Sequence, residues 1–181
     1  MADFKLFHLF DPQKMDRIIL PNAAGNYIFL LREGCKLPQI EISPEIQSIC
    51  IEGKSYQAVY TGIASKSIRQ RDYRQHFIGN DASRSTLRKS LGSLFGYNLI
   101  PRKEGDFDHK KFNSEDEQKL SEWMHDNLLL AYFVNINPEK LENELIKEQN
   151  PPPLNISKNP NIINAKFRDL LSKLRNRPLK I

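Results

Sequence analysis

Four features along the chain carry residue types that could do chemistry, and their order is informative. A glycine–tyrosine strand comes first, Gly25-Asn26-Tyr27, and a second strand ends in Tyr60-Thr61-Gly62. The helix expected after it carries Ile68-Arg69-Gln70-Arg71 and ends near His76. Much later a helix carries Glu142 and leads into Asn150-Pro151-Pro152-Pro153-Leu154-Asn155. These types suit hydrolysis of a phosphodiester, which needs an activated water and a sink for developing negative charge. A carboxylate suits a hard cation such as Mg²⁺. An arginine can hold two phosphate oxygens at once. A tyrosine, with a reference pKa near 10, needs a nearby cation before it can act as a base, whereas histidine needs less help.

The elements that must position these residues follow from the pattern. The run LFHLF at 6–10 is apolar enough to pack as an edge element, and Asp16 to Leu20 reads as a short strand ended by Pro21. Tyr27 to Leu31, bounded by Gly25 and Gly34, reads as a central strand. Gln47–Glu52 and Ser55–Thr61 read as two more, the second stopped by Gly62. Ser65 or Ser67 can cap the following helix, which turns Ile68 and Tyr73 inward and its arginines outward until Gly79-Asn80-Asp81 breaks it. Residues 83–96 put Leu87, Leu91, Leu94 and Phe95 on one helix face and Arg84, Arg88 and Lys89 on the polar one. Residues 101–113 look like an exposed loop. Ser114 and Glu117 form a capping box for a helix through Leu128, and 129–134 extends the helix or switches to a strand. Asn137-Pro138 starts a helix through LENELIKEQ that stops before the prolines, and a basic amphipathic helix at about 163–176 closes the chain.

Composition sets the bounds. The 181 residues are enough for one domain with a real core. Hydrophobic residues at 39% and charged residues at 27% are an ordinary globular balance, which excludes a disordered or membrane-embedded chain. The first residues lack the long apolar stretch of a secretory signal peptide, so an intracellular, cytoplasmic chain is expected, nucleoid-associated if bacterial. Cys35, Cys50 and four scattered histidines make no structural zinc site; the thiols read as idle or structural, as does His109. The net charge of +5 is unevenly spread. Residues 54–103 hold ten basic and two acidic residues, 104–148 five and twelve, and 158–180 seven and one. Two basic segments flank an acidic one, a layout that favours a polyanionic partner if the basic segments share a face.

The ordered set of motifs resembles the GIY-YIG nuclease family. GNY at 25–27 stands for the first motif and YTG at 60–62 for the second. IRQR at 68–71 looks like the family's leucine–x–x–arginine element, and LENELIKEQNPPPLN at 141–155 looks like its glutamate helix with a Pro-x-Asn exit. Asn26 and Thr61 stand where the family name has isoleucine, at positions read as packing sites. The resemblance covers about residues 25–77 and 138–156. It implies an α/β (α+β) domain, a small three-stranded antiparallel sheet flanked by helices, that cleaves DNA with Mg²⁺ or Mn²⁺. It implies that Glu142, by its spacing to Leu145-Ile146, is the one protein carboxylate on the metal. It gives Arg71 the scissile phosphate, with Arg69 as the alternative register, and gives Tyr60 a part in activating water. Tyr27 supports the site and contacts water or phosphate, His76 is a base or proton relay, and Asn155 braces the site.

The chain is therefore expected to be one domain, 1–181, with a helical insertion at about 78–130. Arg69, Arg74, Arg84, Arg88 and Lys89 are expected to position phosphates on double-stranded DNA, and the C-terminal helix to grip the backbone across from the site. The acidic helix at 114–130 should pack on the core or meet another subunit through Trp123 and Met124; a homodimer is compatible with this. The enzyme would be of restriction, repair or mobile-element type. Two competing readings are a nucleic-acid-binding module on the same scaffold that no longer cuts, and a protein-interaction domain.

Overall fold

The computed structural model describes residues 3–106, 108–147 and 152–179. Gly25–Leu31 (β2) is buried along its whole length, as its unbroken apolar run requires of a strand covered on both faces. It pairs antiparallel with Lys54–Ala64 (β4) on one side and with Leu128–Val134 (β7) on the other. His8–Phe10 (β1) adds to β7, and Ser48–Ile51 (β3) adds to β4, giving a sheet of order β1-β7-β2-β4-β3. The sheet thus has five strands where three were expected. The two additions are the short edge strand β1 and the segment at 128–134, which pairing with β2 makes a strand. Local periodicity there fits a helix equally well.

Alternation along β2 sends Tyr27, Phe29 and Leu31 into the larger core and Ile28 and Leu30 into a smaller one. The larger core takes the helix at Arg69–Phe77, Thr86–Leu94 (α1), Ser114–Asn127 (α2) and Ala165–Arg175 (α4). Pro138–Lys147 (α3) covers the other face through Leu145. The end of its sequence run at 148–151, with Asn150-Pro151, lies outside the described residues.

Other expectations are corrected. Asp16 to Leu20 is a 3₁₀ turn over Arg17–Ile19, because the Asp16 carboxylate accepts from Ile18 N–H and caps it. Strand β4 runs through Gly62 to Ala64, since Gly62 pairs with Tyr27 and remains in the ladder. Residues 101–113 are not simply a loop: Leu99–Pro101 (β5) and Lys110–Phe112 (β6) pair as a hairpin, anchored by the buried Leu99 and Phe112. The α2 cap is Asn113, whose side chain accepts from Asp116 N–H at 2.8 Å. Glu117 is instead a buried counter-ion, 2.8 Å from Arg88. Met124 is in the core; Trp123, half-buried, packs edge-on to Phe95. Both cysteines are free thiols. Among the described residues no helix is long and apolar enough to cross a membrane.

Candidate active site

The site is built on β2 and β4. The Tyr27 hydroxyl lies 2.9 Å from His76 Nε2, and His76 Nδ1 lies 2.7 Å from Ser85 Oγ. Ser85 is also the N-cap of α1, accepting from Arg88 N–H, so one hydroxyl starts that helix and fixes the imidazole. His76 is fully buried, and burial, then the charges of Arg71 and Arg88, hold its pKa well below the ordinary histidine value. It is neutral. Tyr27 is 1% exposed, which places it behind the surface where a substrate would lie.

The two motif glycines are explained by close approach. A Cβ on Gly62 would fall 2.5 Å from the Tyr27 hydroxyl, and one on Gly25 would fall 2.2 Å from the Phe133 carbonyl oxygen. The middle residues, expected to be mere packing positions, are polar ties. Asn26, fully buried, donates to the Pro138 carbonyl at 2.7 Å and so fixes the start of α3. Thr61 Oγ1 donates to the Tyr27 carbonyl at 3.0 Å.

Tyr60 owes its direction to a β-bulge. The β2–β4 register shifts between Phe29 and Leu30, pairing Phe29 with Tyr60 and Leu30 with Ala58. Ala58 faces the smaller core, yet both Val59 and Tyr60 join the larger one, so the extra residue turns Tyr60 to the side of Tyr27 and His76. Its ring stacks on Tyr27 at 6.4 Å and its hydroxyl meets Thr86 Oγ1 at 2.8 Å. Burial pushes the Tyr60 pKa up; the Thr86 hydrogen bond and the charges of Arg71 and Arg175 pull it down, and Glu142 pushes it up.

Arg71 sits on a helix wound with i→i+5 hydrogen bonds, such as Ile78 N–H to the Tyr73 carbonyl at 3.1 Å. This winding makes residues five apart near neighbours, which brings Arg71 beside His76. Arg71 donates to Gln75 Oε1 and to the Arg84 carbonyl. Arg69 is committed elsewhere, to the Leu20 carbonyl at 2.8 Å and the Ile18 carbonyl at 2.7 Å. Glu142 has a side chain 13% exposed, with Lys158 Nζ 3.4 Å from Oε2. Asn155 clamps Thr61: its Oδ1 accepts from Thr61 N–H at 2.9 Å and its Nδ2 donates to the Thr61 carbonyl at 2.8 Å. Leu154 N–H donates to the Val59 carbonyl, so the segment after the prolines covers the edge of β4 that β3 leaves free. Tyr27, Arg71, His76 and Glu142 thus lie about Tyr60, and Asn155 holds its strand.

A family model described as the GIY-YIG catalytic domain matches residues 25–177. The chain belongs to the GIY-YIG family. No curated protein and no solved structure matches it. Strand β7, next to β2 in the sheet, begins at Leu128, at the end of the segment expected to be an insertion.

Of the candidate phosphate contacts around this GIY-YIG core, Arg74 and Arg84 are exposed, Arg84 with Asp81 at 3.5 Å, and Lys89 is half-buried. Arg88 is a correction. It is 0% exposed, pairs with Glu117, and donates to the His76 carbonyl at 2.7 Å and to Ser121 Oγ at 3.0 Å. A guanidinium so enclosed ties α1, α2 and the His76 helix together and cannot reach a phosphate. Ser85, Thr86 and Arg175 were missed by sequence reading. Ser85 could have been found as an N-cap; nothing local marks Arg175. Among the described residues no three His, Cys, Asp or Glu side chains group as metal ligands.

Proposed function

We propose that this GIY-YIG domain is a divalent-metal-dependent endonuclease that hydrolyses phosphodiester bonds in double-stranded DNA, of restriction, repair or mobile-element type. The observation that carries the reading is the convergence of Arg71 and Glu142, from separate helices, on the Tyr60 phenol. With no group of three His, Cys, Asp or Glu side chains among the described residues, a single carboxylate ligand fits Mg²⁺ or Mn²⁺ rather than zinc, and leaves most ligand positions to water and phosphate. Glu142 would hold the ion, which when bound supplies Lewis-acid charge and makes a water molecule more acidic.

The other steps belong to the chain. Arg71 holds the scissile phosphate and offsets the charge that develops on its oxygens. Tyr60, kept protonated by burial, orients the attacking water through the hydroxyl it shares with Thr86; it could accept the water's proton only as a phenolate, after giving its own proton to solvent, when neighbouring cations outweigh that burial. Tyr27 and His76 are positioning residues: the Tyr27–His76–Ser85 chain sets the ring on which Tyr60 stacks. Asn155 keeps Thr61, and hence Tyr60, in register.

Plasmid nicking with Mg²⁺ or Mn²⁺ tests the reading. Wild type should cut, and Glu142→Gln and Arg71→Ala should lose cutting while keeping their melting temperatures. A second reading, a scaffold that binds nucleic acid without cutting, draws on Lys158, whose ammonium stands beside Glu142 where a cation would go. Lys158 is 59% exposed and free to swing away. Salt-dependent, metal-independent DNA binding without cleavage by wild type would favour that second reading.

A further inference from the structure

Arg175 closes the last turn of α4, which packs on α1. Its guanidinium is half-buried and acts on the Tyr60 phenol, and no described carboxylate pairs with it. Two other arginines withdrawn from water do have carboxylates: Arg88 has Glu117 and Arg32 has Asp11, each at 2.8 Å. Lys89 lies on α1 one turn beyond Thr86, the hydrogen-bond partner of Tyr60. Lys110 is on β6 two residues before Phe112, whose ring lies where a Cβ on Gly92 would meet it at 2.2 Å. The hairpin is thereby docked on α1 one turn past Lys89. Burial, then Arg175 and Lys110, push the Lys89 pKa down; only Asp81 opposes them, and it is engaged by Arg84 and Ser83.

Lys89 is partly withdrawn from water and repelled by both Arg175 and Lys110, and among the described residues no carboxylate forms an ion pair with any of the three, an arrangement that costs the fold stability by itself. An external anion reverses that balance through charge-assisted hydrogen bonds. We propose that Lys89, Lys110 and Arg175 form a second phosphate subsite, which takes the DNA backbone phosphate next to the one held by Arg71. The inference rests on the nuclease reading and extends it to residues outside the motifs. Its place beside Tyr60 and Thr86 selects a polymer of phosphates over an acidic polypeptide, because the backbone that presents the scissile phosphate carries the next one with it.

The test is duplex DNA binding by the full chain in a Glu142→Gln background, with salt varied from about 50 to 200 mM. Lys89→Ala/Lys110→Ala/Arg175→Ala should weaken binding about tenfold or more and make the slope of log K against log salt shallower by about 0.9. Arg175→Lys alone should keep the parental slope. If the parent binds and wild type cuts but the triple variant keeps both affinity and slope, the subsite is wrong and the nuclease reading stands. If the parent shows no salt-dependent binding and wild type does not cut, the nuclease reading fails and takes this proposal with it. Displacement of DNA by polyglutamate as effectively as by unlabelled duplex would overturn the choice of ligand. Should the triple variant lose its cooperative melt, Arg175→Gln and Lys89→Gln decide, each expected to weaken binding about threefold. No weakening in either overturns the proposal.

Discussion

Gly62→Ala is the sharpest probe of how the two tyrosine motifs depend on each other. Gly62 is not in the left-handed region, so any penalty is steric rather than conformational. The added Cβ would meet the Tyr27 hydroxyl at 2.5 Å and its Cζ at 2.6 Å. Tyr27 cannot retreat, being 1% exposed and packed against Phe29, His76 and Tyr60 at ring separations of 5.8, 5.5 and 6.4 Å. Overpacking of this kind costs about 1–3 kcal/mol. Pushing the phenol off His76 leaves a buried imidazole nitrogen unsatisfied, for about 1–3 kcal/mol more. The sum, about 2–6 kcal/mol, lowers the melting temperature by roughly 4–24 °C for a domain of this size. Tyr27→Phe in the same chain removes the closest contact but leaves the one at Cζ, so it should recover part of the loss. Gly34→Ala is the contrast: φ is +77° with open space around it, so it should cost about 1–2 kcal/mol and leave cleavage unchanged. The assays are thermal melting and plasmid nicking below all the melting temperatures, where Gly62→Ala should cut at least about tenfold more slowly, equivalent to 1.4 kcal/mol. A Gly62→Ala protein that melts with wild type refutes the packing argument; one that melts low but cuts at full rate refutes the link from Tyr27 to the chemistry.

Three further outcomes follow from the same geometry. Arg69→Ala should lower stability by about 1–3 kcal/mol, through two lost hydrogen bonds, and retain cutting, whereas Arg71→Ala should do the reverse; nicking lost by Arg69→Ala alone would reverse the register. His76, with its folded pKa depressed, contributes stability above pH 6.5 that is lost as pH falls below that value, because the unfolded chain takes up the proton first. Denaturation at pH 7.5, 6.5 and 5.5 should show a loss approaching about 1.4 kcal/mol per unit that His76→Gln removes; an unchanged slope in the variant would mean the imidazole is protonated in place. Glu117→Gln should destabilise by about 3–5 kcal/mol by leaving the Arg88 charge enclosed, while Arg88→Met/Glu117→Leu should restore much of it, as read by urea unfolding.

The elements misread at 16–20 and 101–113, and the one left open at 129–134, share one cause. These segments are short, and their local patterns fit more than one conformation. A cap from Asp16, a cross-strand partner for β6 and the open edge of β2 decided each case. Arg88 misled for a related reason. A charge on a helix reads as solvated unless its counter-ion is known, and Glu117 lies 29 residues away in the chain. The hydrogen bonds of Arg69 to the Ile18 and Leu20 carbonyls, which favour Arg71 for the proposed phosphate contact, join segments about fifty residues apart, and spacing does not encode them.

What the sequence determined by itself is the motif chemistry and its order. Gly25, Tyr27, Tyr60, Gly62, Arg71, His76, Glu142 and Asn155 could be singled out because their ordered motifs resemble the GIY-YIG family, to which the chain belongs, and motif order is local sequence information. Tertiary structure decided where those groups point and what surrounds them. The bulge at Val59–Tyr60 turns Tyr60 to its partners, Asn26 and Asn155 hold α3 and β4, and Arg175 arrives from the far end of the chain. Contacts between distant segments depend on packing and register, which no window of local sequence contains.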